Sequence, residues 1–74
     1  MPNNRNVWVS PADGGWNAHN EGSTTGHVFP KQSQAWDFAQ SMARLNRGEA
    51  FLQGRDGQIR ERNTYGHDPR STKG

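Results

Sequence analysis

The residues of this chain whose types could do chemistry are three imidazoles, scattered hydroxyls and a run of arginines. His19, His27 and His67 are the only histidines. None of them stands at the one-turn or Cys/His spacings from which a zinc site is built. With no cysteine in the chain, thiolate ligands and thiol nucleophiles are excluded as well. Ser10, Ser23 and Ser41 fall in no nucleophile-elbow or triad context, and His67-Asp68 is adjacent rather than opposed. Asp56 is taken up by a turn and Glu61 by alternation with Arg60 and Arg62, so no carboxylate pair is set for acid–base work. Gly14-Gly15 and Gly54 with Gly57 lack the spacing and the following helix of a phosphate loop. The expectation is a non-enzymatic protein with no catalytic residue, metal, cofactor or small-molecule substrate.

One constellation has a shape. Asp56-Gly57 sits between two alternating segments, Ala50 to Gln53 and Gln58 to Arg62, and Asp-Gly is the strongest short-range hairpin signal. Read as a two-residue type I′ loop, it sets Arg55 opposite Gln58, Gln53 opposite Arg60 and Phe51 opposite Arg62. Arg55, Arg60 and Arg62 would then share one face with Phe51, while Ala50, Leu52 and Ile59 turn to the core. Guanidinium groups grip phosphate bidentately and an exposed ring can stack on a base. That face is therefore the nucleic-acid-binding candidate.

The elements that must position these residues are legible by period. Asn6 to Ser10 reads as a strand, Pro11 to Gly15 as a turn, and Gly15 to Asn20 as the returning strand around Trp16 and Ala18. Val7 and Val9 turned to the core would send Trp8 the opposite way. His27-Val28-Phe29 reads as a short third strand ended by Pro30. From about Lys31 to Arg47 the period becomes helical, with Ala35, Phe38, Ala39, Met42 and Leu45 on one stripe, widened by Trp36 and Ala43. Gly48 is the expected left-handed residue closing the helix, whose start lacks a good cap, Ser33 being nearest. The outline is α+β, ββ(β)αββ: an antiparallel sheet of four or five strands with one helix packed on one face. Residues 1–66 form the domain, and 67–74 read as a flexible C-terminal tail.

Composition agrees with something small. The chain has 74 residues, of which 28% are apolar, with three Trp, three Phe and one Tyr. A domain of this size has a small core and no disulfide to reinforce it. Three tryptophans are more than such a core readily encloses, so Trp8, Trp16 and Trp36 are candidates for a protein interface. The formal charge is +2, and the whole excess falls within Arg55 to Gly74. The longest purely apolar run is Val7-Trp8-Val9, far below a membrane span. No membrane association and a cytoplasmic location are expected.

The stretch from Phe29 through the helix to Gly48, the run Gly54-Arg55-Asp56-Gly57 through Asn63-Thr64-Tyr65-Gly66-His67-Asp68-Pro69, and the closing Lys73-Gly74 together resemble the bacterial family called domain of unknown function 2188. The likeness covers roughly Trp8 to Gly74. It implies short stand-alone proteins of bacteria and their phages, some stress-associated, and brings no catalytic residue. Pro30-Lys31 departs from the Asp-Thr usual at the family's helix start. Sequence thus points to a small binding module for nucleic acid through the basic hairpin face. The alternative is a protein-interaction module, as a homodimer or as a phage-encoded inhibitor of a host or defence protein.

Overall fold

The computed structural model describes residues 5–23 and 25–65. The expected tail, with His67, lies outside them. In chain order the elements are β1 (Val7–Ala12), β2 (Gly15–Asn20), β3 (His27–Phe29), α1 (Gln32–Asn46), β4 (Glu49–Gln53) and β5 (Ile59–Thr64). They form one five-stranded sheet in the order β3-β2-β1-β4-β5. Neighbours run antiparallel except for β1 and β4, which are parallel. A parallel pair needs a crossover, and α1 supplies it by carrying the chain from the β3 edge back beyond β1.

Alternation sorts the strands into two faces. Val7 and Val9 of β1, Trp16 and Ala18 of β2, and Ala50 and Leu52 of β4 pack under Ala35, Ala39 and Ala43 of α1. Three alanines one turn apart let the helix backbone approach the sheet closely. Phe29, Trp36, Phe38, Met42 and Tyr65 close the sides of this thin core. Leu45, expected on the buried stripe, is instead 77% exposed. It lies roughly 120° around the helix from Ala39, too far to reach the sheet. Pro11, expected in the first turn, extends β1 and pairs with Trp16. It lies beyond Val9, the last β1 residue paired with β4.

The helix ends differ in detail from expectation. Ser33 is not the cap: the Lys31 N–H donates to Gln34 Oε1 at 3.3 Å. At the other end Arg47, not Gly48, takes the left-handed conformation, with φ 61°. The Gly48 N–H then donates to the Ala43 carbonyl at 2.9 Å. Glycine is required at 48 because a Cβ there would run into the Arg5 carbonyl. β5 is tied back to the helix by Gln40 Oε1, which accepts from Asn63 Nδ2 at 3.1 Å and from the Tyr65 hydroxyl at 3.4 Å.

The second hairpin carries the main correction. Its loop has three residues: Gly57 N–H donates to the Gly54 carbonyl and Gly54 N–H to the Gln58 carbonyl. Only Gly57 has positive φ, at 84°, so this is a type I turn closed by a left-handed glycine rather than a type I′ loop. Gln53 therefore pairs with Ile59. A bulge between Leu52 and Gln53 then absorbs Arg60 and restores the expected pairs Leu52 with Glu61, Phe51 with Arg62 and Ala50 with Asn63. Two one-residue offsets cancel, but Ile59 lies between them. It turns away from the helix and is 52% exposed.

Candidate functional site

The same two offsets separate the arginines expected to share a face. The Arg55 guanidinium lies 4.8 Å over the ring of Trp16, which belongs to the helix-side core. A Cβ on Gly54 would meet the Arg60 side chain, so Arg60 folds over the helix side of the sheet. There its Nη2 donates to Asp56 Oδ2 at 3.0 Å, an exposed pair. Arg62 alone joins Phe51 on the opposite face, where its Nε stands 4.0 Å from Glu49 Oε1. The basic hairpin face thus loses its premise: Phe51 and Arg62 are brought together, and Arg55 and Arg60 are not brought to them.

Among the tryptophans, Trp16 is buried in the core and Trp36 is half-buried on the helix flank. Trp8 is the one on the outer face, as the alternation of Val7 and Val9 predicts. It stacks on Phe51 with ring centroids 4.3 Å apart and planes 23° from parallel.

The described residues place no second layer over that outer face, and the register orders it into rows. The middle row runs His19, Trp8, Phe51, Arg62. Above it lie Val28, Asn17 and Ser10, continued by the pair Gln53 and Ile59. Below it lie Glu21, Asn6, Glu49 and Thr64. Val28 and Ile59 are the large apolar residues left open here, at 57% and 52% exposure, and they stand at opposite ends of one row. This is an apolar centre with two apolar ends inside a polar rim.

The rim is organised by Glu21. Its Oε1 accepts from Asn6 Nδ2 at 2.9 Å and from Trp8 Nε1 at 3.2 Å. The Asn6 bond first and the Trp8 bond second hold its carboxyl below the ordinary glutamate range. The Trp8 indole is thereby oriented as it stacks. On the same face Ser10 Oγ meets His19 Nε2 at 3.3 Å, and His19 Nδ1 meets the Asn20 carbonyl at 3.2 Å. Sequence spacing missed this hydroxyl–imidazole contact, since only the β1–β2 pairing joins the two. The contact sits on the interior strand pair β1–β2.

Among the described residues, no group of three or more His, Asp or Glu side chains could hold a metal ion. No described helix is long and apolar enough to cross a membrane. The outer-face residues that sequence reasoning left out, Val28, Asn17, Ser10 and His19, were signalled by the period-two pattern of β1, β2 and β3. Ile59 had no such signal, because the bulge that turns it is invisible in the period.

Fold and surface together define a small α+β domain whose described residues cover one side of the sheet and leave the other open. Residues 7–65 match the family described as uncharacterised protein conserved in bacteria, domain of unknown function 2188. The chain belongs to that family, as the residues from Trp8 onward suggested. No curated protein and no solved structure matches it.

Proposed function

We propose that this protein is a non-enzymatic binding module that takes a protein partner on the open face of its sheet. The observation that carries this reading is the row arrangement: the Trp8–Phe51 stack at the centre, Val28 and Ile59 exposed at the two ends, and polar side chains around them. Aromatic anchors inside a polar rim are what protein interfaces use, with charge depleted at the centre.

Nucleic acid fits this face less well. Among the described residues its charged groups are Arg62 against Glu49 and Glu21, which gives no run of positive charge to follow a phosphate backbone. The Trp8 and Phe51 rings also cover one face of each other, which reduces the ring surface on which a base could lie.

The test is affinity capture from nuclease-treated native bacterial lysate with the wild-type protein and with Val28→Lys and Ile59→Lys. Both positions are exposed, so both variants should fold. The reading expects a specifically bound protein that both variants lose. Capture indifferent to both substitutions, or nucleic acid recovered in place of protein when nuclease is omitted, overturns it.

A further inference from the structure

The exposed apolar residues of the open face match one another about a two-fold axis. β1 is the middle strand of five, with β3 and β5 equally far from it on either side. Rotation about an axis parallel to β1 and lying above it lays a second sheet face to face with strands aligned, the commonest sandwich geometry. It brings β5 over the partner's β3 and β4 over the partner's β2. In the upper row Ile59 then meets the partner's Val28 and Val28 meets the partner's Ile59, while Asn17 and Gln53 meet as amides. Trp8, at the axis, meets its own copy. In the lower row Glu49 falls over the partner's Glu21, and Arg62, 4.0 Å from Glu49, stands over the end of the partner's β3, where the register continues to Gly26, so that one guanidinium lies beside each pair of carboxylates.

We infer that the occupant of this face is a second copy of the chain, paired through it as a symmetric dimer. The inference rests on the binding-face reading above and names its partner. What favours a copy over an unrelated protein is this pattern. The two exposed apolar residues stand at mirror positions about β1, so that one rotation covers both, and such self-matching is what a two-fold interface requires.

The size of the face sets the strength. Five strands ~4.8 Å apart and three outward residues per strand ~6.8 Å apart give a footprint of about 400–500 Å² per partner. That is below the ~800 Å² per partner of a standard stable interface and in the range of weak, reversible pairings. The dimer therefore belongs with reversible pairings, and micromolar to millimolar protein is the range in which to look for it.

Sedimentation velocity from 5 μM to 1 mM tests this. Wild-type protein should pass from the mass of one chain, 8.3 kDa, toward about twice that value. Val28→Lys alone and Ile59→Glu alone should each hold the monomer, weakening association at least tenfold. The two substitutions in the same chain should restore the dimer, because each position faces the other across the axis. As a second measurement, Ser10→Cys lies beside the axis in a chain without cysteine. A bismaleimide spanning ~10 Å, the separation of stacked sheets, should cross-link it as a dimer, and Leu45→Cys on the helix should not cross-link. Wild-type monomer at 1 mM, a dimer indifferent to both single substitutions, or no rescue in the double variant overturns the inference. A monomer that still captures a different protein through Val28 and Ile59 would sink the dimer alone and leave the binding-face reading standing.

Discussion

Arg55 and Arg62 belong to one hairpin yet act on opposite sides of the sheet. The first lies over Trp16 in the helix-side layer, and the second stands beside Phe51 on the open face. The cause is local: a three-residue turn and a bulge, each worth one residue of register. Electrostatic focusing needs like charges on one surface, and this chain divides them between two.

That division has a direct readout. Fluorescence anisotropy with labelled single-stranded and duplex oligonucleotides at 50 mM salt should show no saturable binding at about 50 μM protein, a concentration toward the weak end of non-specific affinities of ~10⁻⁴–10⁻⁶ M. Saturable binding that weakens together with Arg55→Ala, Arg60→Ala and Arg62→Ala would contradict the geometry described.

The Trp8–Phe51 stack should matter for stability as well as recognition. Phe51 is only 9% exposed, so Phe51→Ala should destabilise by about 3 kcal/mol in urea unfolding. A double-mutant cycle with Trp8→Ala should give a coupling of about 1 kcal/mol, the range for stacked aromatic pairs. Coupling near zero would mean that the rings are neighbours without being partners.

The turn assignment separates two glycine requirements. Gly57→Ala forces a Cβ into φ 84° and should cost about 1–2 kcal/mol. Asp56→Gly should bring no gain, because Asp56 lacks the positive φ of a type I′ turn. It also removes the Oδ1 that accepts from the Gln58 N–H at 3.1 Å. A stabilised Asp56→Gly in thermal unfolding would restore the two-residue loop.

Glu21 makes stability depend on pH in a definite direction. Hydrogen bonds from Asn6 and Trp8 lower its folded pKa below the ordinary value of 4.5. Its contribution is therefore present above that value and lost as pH falls through the lower, folded one. Thermal midpoints should drop between about pH 5 and pH 3 by more in the wild type than in Glu21→Gln. Equal slopes for the two proteins would show that the carboxylate contributes nothing.

On the helix, Leu45→Glu should change stability by less than about 0.5 kcal/mol, since the side chain is in solvent. Ala39→Leu should cost about 1–3 kcal/mol, because it pushes the helix off the sheet. Chemical denaturation of both variants checks the pair, and the reverse ranking would return Leu45 to the core.

Sequence alone determined whatever depends on period and on local backbone chemistry. The strands around Val7-Trp8-Val9 and Ala50 to Gln53, the alanine-centred helix and the outward Trp8 follow from alternation and from 3.6-residue spacing. Those patterns are imposed by neighbours a few residues away. The tertiary structure decided what one residue of register controls: where Ile59 and Arg60 point, that Arg55 crosses to Trp16, and that Ser10 touches His19. It also decided the central position of β1, which puts Val28 and Ile59 at matching ends of one face. Strand order and bulges are settled by which packed arrangement buries the apolar set at least strain, and that balance involves contacts across the whole chain.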